Sequence, residues 1–527
     1  MKPESENVTP QANEVPISEN APETEARPAP FSLPTTGREL FFFVLMLIAG
    51  FGVFNSLLYG GANLGFAIFT VLMIVGTVVY LLISGIKPSF YSMTLLVLCA
   101  VIAAAFGRTN DGLVKFVSYV FMVVGVNLGL CLMVGCNHRN AGTFRSLLDA
   151  PGTLLTMGFG KVLPAIGGLF KATLRGKSLW RKGGAFLLGL CVALPLMAVV
   201  SSLLTSADAA FSGLLNKIPE VDVWEVFTTC FIGAFFVMVF YARGVGLRHA
   251  TPYQEKRPRS TRILNPITVN TVLCAIAAVY ALYLLSQLAY FMGGFFGILP
   301  KNYTLAQYAR RGFFEMAFLC GLNLILMACG TFLVRKDGRV NLLTKLLCLF
   351  LGITTLFLVC AASAKMWLYI NSFGLTRMRV LTQTVMLFLA FVDLVVIVWL
   401  FVPKLPYMKF FAVAALVLCA LTIWVDVDMV IARHNTEAYL SGKTDTIDVV
   451  YLRELSDSAV PYLAKLAKEA PDAQVAEEAQ QILTYRVIEI DDFRGWNYAS
   501  ATAKKHLPEK PASNEDAFGE GTPISEV

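Results

Sequence analysis

The chain has 527 residues, of which 56% are hydrophobic and only 15% charged, against about 25% charged in soluble domains. That excludes a soluble globular protein and points to an all-α polytopic membrane protein, a transmembrane helical bundle. The net charge of +7 does not indicate nucleic acid, because the basic residues lie in loops between apolar runs; the expected partner is the lipid bilayer.

In chain order, residues 1–38 are rich in Pro, Glu, Ser and Asn. They bury too little apolar surface to offset the entropy of ordering, so a disordered N-terminal tail is expected. Leu33-Pro34-Thr35-Thr36-Gly37 matches the LPxTG sorting pattern. Sorting signals stand at a C-terminus, however, and this one precedes the apolar runs. Thr36 and Glu39 instead form a capping box opening the first helix. With no basic n-region and small-residue cleavage site, the first run reads as a signal anchor.

Runs long enough to cross a hydrocarbon core of about 30 Å stand at 39–58, 64–86, 91–107, 113–134, 184–206, 224–243, 266–291, 313–334, 341–362, 380–402 and 409–429. These are eleven expected spans, four in 39–134 and seven in 184–429, with Pro195 a kink in the fifth. Between the two groups, 135–183 spaces Leu155, Phe159, Val162, Leu163, Ile166, Leu169 and Phe170 as on one helix face, among Lys161, Lys171, Arg175, Lys177, Arg181 and Lys182. A cytoplasmic amphipathic basic segment on anionic lipid is expected there, with a protein docking site as the alternative. Residues 430–506 turn polar, with helical patterns at 446–456, 458–470 and 473–489. They read as a small C-terminal helical extramembrane domain, followed by a disordered acidic tail at 507–527.

With the N-terminus inside, the inner loops, with Arg243 at their edge, hold 21 Lys and Arg and the outer loops 8. This orientation satisfies the positive-inside rule, and an odd number of spans then puts the C-terminal domain outside. Lys365, Arg377 and Arg379 stand on the outer side against the rule, so one span more or fewer there would bring the domain inside.

The eleven cysteines lie in or beside apolar runs without a C-x-x-C pair, and the four histidines are scattered. Neither a disulfide frame nor a metal site is expected. No phosphate loop or nucleophile elbow is present, so no cofactor and no catalytic residue is assigned.

The polar residues inside the apolar runs carry the functional question. Asp393 sits mid-run in the tenth span, where a carboxylate costs roughly 2.5–3.5 kcal/mol on insertion scales and so faces protein or water. At 100° per residue it shares a face with Thr382, Met386 and Leu400. Asn127 and Asn323 fall at comparable depth in the fourth and eighth spans. These four polar residues are expected to meet in one intramembrane cluster, either locking the bundle or coupling a proton or cation to transport. Outside, Asp208, Glu220 and Asp222 populate the loop at 207–223, a place where membrane transferases for lipid-linked substrates carry a carboxylate. The first outer loop, Tyr59-Gly60-Gly61-Ala62-Asn63, lacks the acid such enzymes usually have there.

Several segments resemble an uncharacterised family of bacterial multi-pass membrane proteins, the domain of unknown function four-one-seven-three, related to four-one-five-three. The resemblance is carried by Ala207-Asp208-Ala209-Ala210-Phe211, by Tyr308 to Glu315 and by Tyr369 to Arg379. Ile431 to Asn435 and Tyr451 to Leu463 continue it, and it extends over about 180–505. It implies a bacterial cytoplasmic-membrane protein without an assigned activity. It also draws Asp208, Arg310, Arg311, Glu315, Arg377 and Arg379 together as candidate outer-face contact residues, with an anion-binding surface as one use. The functional expectation is a non-enzymatic envelope protein presenting its C-terminal domain to a protein partner or ligand. A secondary transporter using Asp393 is the alternative, and a membrane-embedded transferase the further one.

Overall fold

A computed structural model describes residues 35–136, 152–175, 223–250, 264–295, 313–333, 341–490 and 492–508, with Leu33 and isolated positions between 189 and 204. The expected fifth span at 184–206, most of the two tails expected to be disordered, Asp208, Glu220 and Asp222, and Arg310 and Arg311 lie outside the described residues or at those isolated positions. Among the described residues the fold is all-α, with no β-strand. Nine helical stretches among the described residues are long and apolar enough to cross a membrane, and Phe90–Ala105 and Glu315–Thr331 are shorter apolar helices.

The first group of helices is α1 (Gly37–Asn55), α2 (Leu64–Ile83), α3 (Phe90–Ala105), α4 (Gly112–Val134), α5 (Val162–Arg175) and α6 (Val223–Arg248). The second group is α7 (Pro266–Phe295), α8 (Phe313–Ala328), α9 (Leu342–Phe373) and α10 (Arg377–Phe401). α11 (Tyr407–Val425) packs on α3, α4 and α10 and so joins the two. Helix starts follow the sequence: Asp111, Ser89 and Thr376 cap α4, α3 and α10 with side-chain acceptors. The Thr36 N–H donates to the Glu39 carboxylate at 2.8 Å, one half of the expected capping box.

α9 departs from expectation. It continues for 32 residues, about 48 Å, so the expected outer loop at 363–379 shrinks to the turn Gly374-Leu375-Thr376. Trp367 and Tyr369 are helical residues, and Gly374 makes the turn at φ 72°.

Among the described residues, each expected run other than 184–206 coincides with an apolar helix. The helical stretch Gly152–Ala172 meets the length and composition test for a span, yet its contacts lie toward one end of the bundle. Thr153 meets Cys131 near the end of α4, Gly246 of α6 faces Met157, and the Leu33 N–H reaches Pro164. Leu155, Phe159, Leu163, Ile166 and Phe170 stay exposed, while Leu169 is buried.

The last expected span, 409–429, ends early. Asp426 adopts φ 60°, and this corner starts a separate helix, α12 (Val427–Leu440). Then come α13 (Val449–Glu454), α14 (Val460–Glu469), α15 (Ala473–Tyr485) and α16 (Tyr498–Lys504). These helices are not an appendage on a stalk. Ile431, Leu452, Val460, Leu463, Leu466 and Ala503 share one apolar core with Phe66, Ile102, Val114 and Ile423 of the bundle. The domain sits on the end where α1 finishes and α4 starts, here called distal: the Leu64 N–H donates to the Trp496 carbonyl, and the Tyr498 N–H to that of Gly107, each at 2.9 Å. The opposite, proximal end holds Glu39, buried and paired with Arg248 and Tyr80.

Candidate functional site

At the distal end the bundle and the C-terminal domain meet through charge. Arg377, at the start of α10, holds Asp428 of α12 in a bidentate pair, with Nε at 2.7 Å and Nη2 at 2.5 Å. Its Nε also lies 3.6 Å from Asp111, and its backbone N–H donates to the Tyr451 hydroxyl at 2.8 Å. Asp428 has no exposure, while Arg377 keeps 29% of its side chain in solvent. Such a planar fork is the arrangement that Arg, unlike Lys, offers to a carboxylate. The second Asp428 oxygen accepts the Ser456 N–H at 2.7 Å, which ties the loop after α13 to the same pair.

Three more carboxylates surround this pair. Asp111 caps α4 through the Leu113 and Val114 N–H groups. Asp426 accepts from Thr109 and Ser458. Asp457 accepts from Asn110 at 3.2 Å, from Arg486 at 3.0 Å and from Ser500. Lys115, one turn into α4 and 7% exposed, donates to Asn63 and feels the charges of Asp111, Asp426 and Asp457. Four carboxylates thus face three cations. Burial pushes the Asp111 carboxyl up, and the Asp428 charge adds to this; Arg377 and the two capping N–H groups pull it back. Burial also raises Asp426, against its hydrogen bonds.

A strap completes the junction. Arg494 reaches Asn55 at 2.7 Å and lies over the Tyr59 ring. A side chain at Gly60 would stand 2.4 Å from the Arg494 carbonyl carbon, so the glycine-rich first loop is what lets the strap approach.

Asp393 lies in the second helix group. With Met386 and Leu400 it forms the buried row of α10, at the seven-residue spacing the helical wheel gives. Among the described residues neither of its carboxylate oxygens has a hydrogen-bond partner. The expected cluster divides in two. Asn323 accepts from the Tyr280 hydroxyl at 2.8 Å and donates to Thr355 at 3.0 Å. Cys320, on the same helix as Asn323, feels the Asp393 charge. Asn127, in the first group, meets Thr153 and Arg243 instead. Thr382 bonds back to the Met378 and Arg379 carbonyls of its own helix.

Of the residues expected on the outer face, Glu315 is exposed at the start of α8. Arg379 donates to the Phe373 carbonyl at 2.8 Å and stacks over Tyr369, 4.2 Å from the ring centre. With Arg377 held by Asp428, both arginines are committed to partners within the chain. Asp111, Asp426, Asp428, Asp457 and Lys115 were not anticipated as a group. The available signals were an N-cap acid ahead of an apolar run and the Asp-x-Asp step at 426–428 where a run ends.

A family model described as Domain of unknown function (DUF4153) matches residues 90–466. The chain belongs to that family. The match starts with α3 and ends in α14, so it takes in Asp393 and the Asp111, Arg377, Asp426, Asp428 and Asp457 network, and it covers more of the bundle than the resembling segments did. The family's description assigns no activity. No curated protein and no solved structure matches the chain. Among the described residues no group of His, Cys, Asp and Glu is arranged to hold a metal ion.

Proposed function

We propose that this integral membrane protein is a non-enzymatic component of a bacterial cytoplasmic membrane that holds its C-terminal domain, as a fixed cap, on the outer face of the bundle for a protein partner or ligand of the envelope. One observation carries this reading: the domain shares a core with the bundle and is pinned to it by Arg377 on the fully buried Asp428. A domain so fixed serves presentation better than reach. The excess of Lys and Arg in the proximal loops supports placing the distal end outside. The exposed Leu155, Phe159, Leu163, Ile166 and Phe170 support contact of 152–172 with the inner lipid surface. The presented surface includes Tyr485, 84% exposed, with Val487 and Phe493.

A transporter is the second reading, favoured by the fully buried Asp393, which has no hydrogen-bond partner among the described residues. One complementation experiment separates the two. Replacing Tyr485 and Phe493 by Ser should abolish rescue of a deletion phenotype while leaving the protein folded, and Asp393→Asn should rescue fully. Loss of rescue by Asp393→Asn alone would replace presentation with coupled transport.

A further inference from the structure

Between α1, α2, α4 and α6 lies a cavity of about 280 Å³. Its wall is apolar for most of its length, with Val53, Phe66, Met122, Val126 and Phe240 among the lining residues. It follows the bundle axis: Tyr119 and Leu130 of α4 both line it, and eleven residues of helix rise about 16 Å. A space of this shape takes a chain rather than a compact solute, and a sugar or amino acid would need several converging polar groups.

The polar groups it does have are few and unsatisfied. Arg243 lines the proximal part and is 8% exposed. Its Nη2 donates to Asn127, while its buried Nη1 has no hydrogen-bond partner among the described residues. The titratable groups facing it are the Cys131 and Cys136 thiols, and among the described residues no carboxylate forms an ion pair with it. A guanidinium does not shed its proton in a protein, so this is a buried positive charge beside an apolar channel. Thr70, a second lining residue, has a hydroxyl with no hydrogen-bond partner among the described residues. Arg243 stands five residues before Arg248, the last residue of α6, about 7.5 Å along the axis. That puts the charge near one edge of the bilayer, with the apolar channel running from it toward the middle.

We infer that this cavity binds an anionic amphiphile, with one acyl chain along α4 and a carboxylate or phosphate head group on Arg243. The anion supplies an acceptor for Nη1 and a countercharge, both lacking among the described residues, and the charge-assisted bond is stronger than any an alcohol could make. The head group also lies at the depth where a membrane lipid carries its own.

The test is equilibrium binding of radiolabelled palmitate and of hexadecanol to the full chain, purified in a sterol-based detergent that has no alkyl tail. Palmitate should bind at least about tenfold more tightly than hexadecanol. Arg243→Gln should bring palmitate down to the hexadecanol level and leave hexadecanol unchanged. Val123→Trp, which fills the cavity from a lining position without touching the charge, should remove both at an unchanged Tm. Equal binding of the two probes by the wild-type protein would overturn the assignment, as would an intact palmitate preference in Arg243→Gln. If that variant does not fold, wild-type palmitate binding by folded Val123→Trp overturns it equally. Displacement of palmitate by phosphatidylglycerol in nanodiscs would identify a membrane phospholipid as the occupant; resistance to it would identify a free fatty carboxylate. Both results support the site.

Discussion

Removing Arg377 leaves a charge with nowhere to go. Asp428 has no solvent exposure and its two oxygens are held by Arg377 and the Ser456 N–H, so Arg377→Met strands a buried carboxylate. Breaking one side of such a pair costs about 3–5 kcal/mol; with Arg377 itself 29% exposed, the lower half of that range is expected. Arg377→Met combined with Asp428→Leu removes both charges at similar volume. It should recover most of the loss and retain about 1–2 kcal/mol, because the Ser456 N–H then lacks its acceptor. Thermal unfolding of the four proteins in detergent, read by trypsin access to Arg494, gives the cycle and its coupling energy. The account fails if Arg377→Met alone costs under about 1 kcal/mol, or if the double variant is no more stable than the single one.

Other consequences concern the same junction. Gly60→Ala puts a carbon against the Arg494 backbone and should lift the strap at a cost of about 1–3 kcal/mol, seen as faster cleavage at Arg494 with the bundle's far-UV signal intact. Asp426 sits at φ 60°, so Asp426→Asn should be tolerated within about 1 kcal/mol, whereas the β-branched Asp426→Val should lower Tm clearly. Burial raises the folded-state pKa of Asp111 and Asp426 above the ordinary 3.8. Their stabilisation is therefore full below that value and is lost as pH rises through the raised values. Domain docking should tighten as pH falls through these raised values, and Asp111→Asn should flatten that dependence.

The helical bundle was legible because apolar runs of span length can do little else in a chain this poor in charge. Its core face on α10 was legible too: Met386, Asp393 and Leu400 are the residues a helical wheel puts together, and they are the buried row. What the sequence could not give was the partner of each polar residue. Asn127 and Asn323 lie at similar depths but in different helix groups, and depth along a helix says nothing about lateral neighbours. Arg377 read as a surface cation because its acceptor, Asp428, is 51 residues away and was counted inside the last span. The corner at Asp426 hid that acid: a left-handed non-glycine residue is uncommon, so periodicity alone ran the helix through it. The strap across Gly60 was invisible for a related reason, since Asn55 and Arg494 are 439 residues apart.

The most direct test is where the capped end lies in a cell. Single cysteines at Ser441, exposed on the C-terminal domain, and at Lys87, exposed at the opposite end, would be introduced after replacing the native cysteines and probed on intact cells with an impermeant thiol reagent. The account predicts labelling at 441 without lysis and at 87 only after it. Labelling at 87 with protection at 441 would put the cap in the cytoplasm and contradict presentation to the envelope.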